Sequence, residues 1–277
     1  MTGSGLCLTL TVILYLAGAA LLAANLLLRR PLLLTIGRIA GIGGALCHFA
    51  AIGLRCMELH RAPFTSPAES LSLLAWSLAI AFLITEAFWK LSVAGPFALG
   101  LSFLLVLLGA ALGGHHAPGA NVADHHEELL ASNVISLHIT AIIASIAAFV
   151  LAFCCAAFYL IEHRILKSKN GLKWLDRLPS LRLIESTAFT LVSIGFPLLT
   201  LGILAGLTPA VRGGLPEGWL TDPKTLLAFM VWLIYGVYLI ARLVLNWTPV
   251  RTAGILLAGL PLCLLLFLIP SNAHRFG

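Results

Sequence analysis

Two histidines sit where an imidazole can meet a metal. His138 opens a long uncharged run, and His274 follows the last apolar stretch by five residues, in the tail PSNAHRFG. Haem iron takes axial ligands through a ring nitrogen, so two imidazoles converging from one face suit that task. Their spacing alone equally fits two unrelated histidines. His48 has Gly37, Gly41 and Gly44 behind it on one helical face. A neutral imidazole is cheap to bury once one nitrogen has a partner, so His48 reads equally as a ligand or as a packing residue. His115, His116, His125 and His126 share a loop with Asp124, Glu127 and Glu128. That set offers zinc or copper ligands, while adjacent histidines in a glycine-containing loop also serve simply to solvate it. Cys7, Cys47, Cys56, Cys154, Cys155 and Cys263 form no CxxC pair, which excludes a thioredoxin-like redox centre and a CxxCH covalent haem site.

The elements that must hold these side chains are membrane helices. From Ser136 the chain stays apolar, apart from His138, until Glu162, His163 and Arg164 close the run. About 20 residues rising ~1.5 Å each cover a hydrocarbon layer of ~30 Å, so this stretch is long enough to cross. Ala141, Ser145, Ala148, Ala152 and Cys155 follow His138 at three- and four-residue steps. A face of such small side chains serves helix packing first, and the approach of a flat ligand second. The whole chain is 60% hydrophobic and 10% charged, with a mean hydropathy of +1.02. A soluble fold is excluded; this is a polytopic membrane protein. The other spans are expected at Leu6–Leu28, Leu32–Leu54, Ala68–Trp89, Leu91–Leu112, Ser186–Leu207, Lys224–Leu245 and Thr252–Ile269. The first reads as a retained helix, since no small-residue cleavage site follows a short apolar region. The expected architecture is all-α, a single integral membrane domain over residues 1–277 built as a bundle of eight transmembrane helices.

Charge orients the bundle. Arg29, Arg30, Lys90, Arg164, Lys167, Lys169, Lys173, Arg177, Arg182, Arg242 and Arg251 follow odd-numbered spans, whereas only Arg55, Arg61, Arg212, Lys224 and Arg275 lie on the other side. By the positive-inside rule the first face is cytoplasmic, and both termini lie on the outer (periplasmic) side. His138, His274, the histidine loop and the segment GLPEGWLTDPK then share the outer face. The net charge of +6 comes from these short loops, a topology signal rather than a surface for nucleic acid. Arg38 lies within snorkelling reach of the inner surface, and Glu86 stands four residues before Lys90 as an i,i+4 pair. NGLKWLDRLPSLRLIES reads as an interfacial piece, with Trp174, Leu175 and Leu178 on one face and basic residues on the other.

Three segments resemble a known family: HRAPFTSPAESLSLLAW (His60 to Trp76), LHITAIIASIAAFVLAF (Leu137 to Phe153) and DPKTLLAFMVWLIYGVYLIAR (Asp222 to Arg242). They are similar to the cytochrome c assembly proteins, haem-handling membrane proteins that include the CcsA, CcmC and HemX-like groups. The resemblance covers most of the chain from His60 onward. It implies haem held at the outer face between two histidines that flank a tryptophan-rich loop, and His138 and His274 occupy the matching places. Of the family's loop, approximately WGxxWxWDPK, this chain keeps Trp219, Asp222, Pro223 and Lys224, and the shortened loop is closest to the HemX-like branch. Ile240 stands where CcsA members carry a histidine in the seventh span, leaving His48 as the residue a second haem site would need.

The resemblance therefore implies non-covalent binding of haem b and its presentation during c-type cytochrome biogenesis, in the inner membrane and with a membrane partner protein. His138 and His274 would be axial ligands of the iron. Trp219, Asp222 and Lys224 would line the site, with Arg212 or Arg275 also able to meet the propionates. The implied alternative is a HemX-like membrane adaptor that influences haem biosynthesis through the basic linker between Lys167 and Arg182. No large periplasmic domain is present, so a synthetase or lyase activity would require a partner chain. The charge bias makes the first testable statement. Reporter fusions after Lys173 are expected to behave as cytoplasmic and fusions after His126 as external; the reverse pattern would invert every placement above.

Overall fold

A computed structural model of the protein describes residues 2–59, 66–112, 133–168, 179–213 and 221–268. Within them it is all-helical, with eight helices long and apolar enough to cross a membrane. They are α1 (Gly3–Leu28), α2 (Pro31–Leu59), α3 (Pro67–Trp89), α4 (Gly95–Leu112), α5 (Asn133–Ser168), α6 (Leu181–Gly213), α7 (Pro223–Leu243) and α8 (Pro249–Leu268). The expected spans are all present, and most helices run past the apolar stretch that announces them. At ~1.5 Å per residue, the 36 residues of α5 reach well beyond a hydrocarbon layer.

Local signals set the ends. Thr2 caps α1 by accepting from Gly5 N. Ser66 and Glu69 close a reciprocal capping box on α3, with Pro67 in the first turn. Arg29 and Lys90 end α1 and α3 in the left-handed region, at φ 52° and 53°, a common way to free the chain from a helix. The fourth span starts later than hydropathy suggests. Ser92–Ala94 form a short 3-10 turn, and the α-helix begins at Gly95. The interfacial segment is also different: Leu181 to Ser186 are the first turns of α6, continuous with the span. Residues 169–178, including Trp174, Leu175 and Leu178, lie outside the described residues.

Neighbouring helices run antiparallel, as their cross-links show. Ser4 donates to Glu58 at 2.8 Å, and Leu22 packs at Gly37, so α2 runs back along α1. Trp76 Nε1 donates to the Ala45 carbonyl at 3.1 Å, while Arg38 pairs with Glu86 near the other ends of α2 and α3. Glu86 was expected to meet Lys90. It is instead bonded by Arg38 Nε at 2.8 Å and by the Ser92 hydroxyl at 2.9 Å. A guanidinium reaching one oxygen of a buried carboxylate through two nitrogens outcompetes a pair on the same helix, because it joins charge to hydrogen bonds; the other oxygen, Oε2, is buried without a partner among the described residues. Farther along, Trp232 Nε1 donates to the Thr200 hydroxyl at 3.0 Å and Arg242 pairs with Glu185, so α7 returns along α6.

The helix that opens with His138 is central. Of its most apolar stretch 72% is buried inside the bundle, against 28% for α1, α2, α7 and α8. Ala141, Ser145, Ala148, Ala152 and Cys155 are all buried, so the small-residue face is a packing face. Phe149 on the same helix stacks on Tyr235 of α7, with centroids 3.5 Å apart and planes 7° from parallel. Close approach also governs α1 and α2. A Cβ at Gly44 would lie 2.6 Å from the Tyr15 ring, which is fully buried. Gly44→Val is accordingly expected to destabilise the bundle by about 1–3 kcal/mol through overpacking. A fall in the midpoint of thermal unfolding in detergent, absent for the same substitution at open Gly53, would show it.

Candidate functional site

The only described histidine of the expected haem pair, His138, lies one and a half turns into α5 and is half-buried. Its Nδ1 is 2.7 Å from the carbonyl oxygen of Gly202 on α6. A carbonyl only accepts, so Nδ1 carries the proton of the neutral ring, and the lone pair is left on Nε2. Among the described residues Nε2 has no hydrogen-bond partner. Metal-binding imidazoles are commonly held in the same way, by an acceptor on the nitrogen that does not ligate. Gly206, one turn beyond Gly202, lies against the ring: a Cβ there would fall 2.7 Å from both Cε1 and Nδ1 of His138. Neither glycine was singled out from the sequence. Their Gly-x-x-x-Gly spacing is visible there, but only the packed structure says which helix faces it.

His48 is placed otherwise. It is fully buried, with Nδ1 3.3 Å from the Tyr15 hydroxyl and Nε2 2.8 Å from the Ser72 hydroxyl. The Tyr15 ring meets it edge-on at 5.7 Å. Both nitrogens are engaged, and the imidazole ties α1, α2 and α3 together. A hydroxyl on each side can donate or accept, so the neutral ring is satisfied in either tautomer. Of the two readings open in the sequence, this geometry matches the packing histidine.

The antiparallel course of α7 along α6 brings Asp222 and Lys224 to the same end of the bundle as His138. Asp222 is buried and caps α7, accepting from the backbone N–H of Lys224 at 3.1 Å and of Thr225 at 3.3 Å. Pro223 occupies the first helical position, where its missing N–H costs nothing. The Lys224 side chain is half-buried at that rim. Trp219, His274, Arg275, the side chain of Arg212, and His115, His116, His125 and His126 lie outside the described residues. Among those described, no three His, Cys, Asp or Glu side chains gather as metal ligands do.

Comparison with known proteins bears on this end of the molecule. The model of the Cytochrome C assembly protein family matches residues 66–272. The chain belongs to that family. Protein HemX of Bacillus subtilis is 28% identical over 184 residues, which cover 66% of this chain and 64% of that protein. The cytochrome c biogenesis protein CcsA of Microcystis aeruginosa is 26% identical over 328 residues, covering 99% of this chain and 95% of the relative. HemX of Brevibacillus brevis reaches 35% identity, over 41% of this chain. The matched region takes in α3 to α8 entire, hence His138, Asp222 and Lys224; α1 and α2, with His48, precede it, and His274 follows it.

Within this family member the Asp-Pro-Lys run has a structural task whatever it binds. Asp222→Ala is expected to cost about 1 kcal/mol through loss of the cap. Asp222→Asn, which keeps an accepting oxygen, should stay within a few tenths of the parent. Paired thermal or denaturant unfolding curves of the two variants would check this.

Proposed function

We propose that this protein acts in c-type cytochrome biogenesis by binding haem b non-covalently at the outer face of the inner membrane and presenting it to a partner protein. The observation that supports this most is His138, with Nδ1–H tied to Gly202 and Nε2 without a partner among the described residues. The donor chemistry fits haem iron: a neutral imidazole nitrogen is a preferred axial ligand. His138 would supply one ligand, and His274, on the resemblance of the tail to the family's ending, the other. Trp219 would cover the ring, and Lys224 at the rim would meet a propionate by charge-assisted hydrogen bonding, with Arg212 or Arg275 as further cations. The bound group supplies an iron centre and a flat conjugated ring for transfer; the protein's part is to hold, orient and shield it. Asp222 contributes by fixing the start of α7, and hence the place of Lys224. His48, engaged at both nitrogens, enters as a tie between helices rather than as a ligand.

This reading places both chain termini outside and the basic linker after α5 inside. A second reading, the membrane adaptor acting on haem biosynthesis through residues 167–182, draws on the same basic linker and on the HemX relatives. Optical spectra of the purified protein separate the two, since the adaptor reading requires no bound haem. Two nitrogen ligands give low-spin iron, so the reduced protein is expected to show sharp α and β bands. His138→Ala and His274→Ala should each move the spectrum toward high spin or cut haem content several-fold, while His125→Ala should change neither. Unaltered low-spin spectra in both variants would remove the axial pair.

A further inference from the structure

The close seat of His138 on α6 has a specific geometry. In a helix each Cβ tilts toward the N-terminus, so the side chain at position i+4 lies over the carbonyl of residue i. The carbonyl of Gly202 would therefore normally be covered by the side chain at position 206. With glycine there, the oxygen stays open to a donor from another helix, and His138 Nδ1 takes it at 2.7 Å. The imidazole also fills the space a side chain would need, since a Cβ on Gly206 would sit 2.7 Å from two ring atoms. Those atoms belong to a ring held by its own hydrogen bond, so they cannot yield as a flexible side-chain end would.

Gly202 has a different neighbour. A Cβ there would meet Ile142 Cγ1 at 2.6 Å and the Ile142 backbone nitrogen at 3.2 Å. Glycine at 202 sets how near α5 comes to α6, and glycine at 206 opens the carbonyl and seats the ring. Ordinary packing explains small residues along an interface; it does not require a helix carbonyl to be exposed beneath an imidazole nitrogen.

We propose that Gly206 and Gly202 are positioning residues that fix the tautomer and the seat of His138, leaving the Nε2 lone pair to ligate a metal. The inference rests on the haem-binding reading for the identity of that metal, but the tautomer it specifies is a property of the haem-free protein. Orienting partners of this kind typically alter metal affinity by about 10–100-fold when lost.

The test uses the full chain in detergent. With 15N-labelled histidine and no haem, the His138 signal, assigned by its loss in His138→Gln, is expected at the shifts of the Nδ1–H tautomer. In Gly206→Ala it should move toward the tautomer mixture of free histidine. After haem is added, that variant should bind it about 10–100-fold more weakly or with a larger high-spin fraction, and exogenous imidazole should restore the low-spin bands. Gly195→Ala is the packing control. It crowds the same interface, with a Cβ 2.7 Å from Phe149 Cε1, yet is remote from the ring. It should lower stability while keeping the parental tautomer and spectrum.

An Nε2–H tautomer in the unmodified protein would overturn the proposal, without recourse to a variant that might misfold. So would a Gly206→Ala protein with the parental tautomer and haem affinity. If the parent protein takes up no haem but Gly206→Ala still shifts the tautomer, the positioning stands and the haem reading falls.

Discussion

The approach of α5 to α6 is the contact on which the rest of the bundle depends. A bilayer offers no hydrophobic force between helices, because lipid tails are as apolar as leucine; association has to come from van der Waals contact and hydrogen bonds. Both require short distances. Ala148 meets Gly195, Ile142 meets Gly202, and His138 meets Gly206, a series running the length of the contact. At each of the three glycines an added Cβ would lie under 3 Å from an atom of α5, so only hydrogen fits. Because α5 is so thoroughly enclosed, its position fixes those of α3, α7 and α8, which pack on its remaining sides.

Polar side chains then decide which helices stay together. Inside lipid an unsatisfied polar group costs several kcal/mol, so most buried ones find a partner, and a partner on a neighbouring helix becomes a tie; among the described residues Oε2 of Glu86 and of Glu162 are buried without one. Tyr15, His48 and Ser72 join three helices through one imidazole. Arg38 and Glu86 join α2 to α3, and Ser92 brings in the turn before α4. On the other side Arg242 reaches both Glu185 and the Trp247 carbonyl, linking α6, α7 and the turn into α8. The family match begins just before α3, so the histidine tie belongs to the part of the chain that braces the shared helices rather than to those helices alone.

These two kinds of contact converge on His138. It is an interfacial residue, packed as tightly as the glycines allow, and it is also a polar group whose hydrogen bond is made with one nitrogen only. Among the described residues His48 has partners at both nitrogens and is fully buried, while His138 has one at Nδ1 alone and is half-buried. That difference, more than residue type, sets the two imidazoles apart. It follows from what each ring faces: two hydroxyls in one case, a single carbonyl in the other.

Much of the architecture was legible in the chain. Uncharged runs of twenty or more residues admit few alternatives to membrane helices; the caps at Ser66 and Asp222, which start α3 and α7, came only with the structure. The small-residue face of α5 could be read as a packing face from its spacing. What faces it could not, because periodicity describes one helix and interfaces are made by two. The partner of Glu86 was misjudged for that reason: Lys90 is near in sequence, but Arg38 is near in space. The hydrogen-bond partners of His48 and His138, Tyr15 and Ser72 for one and Gly202 for the other, likewise come from other helices. Hydrophobic length determined how many times the chain crosses; only the tertiary contacts decided which imidazole nitrogens of the described residues are engaged, since a hydrogen-bond partner from another helix leaves no trace in the spacing of residues along its own.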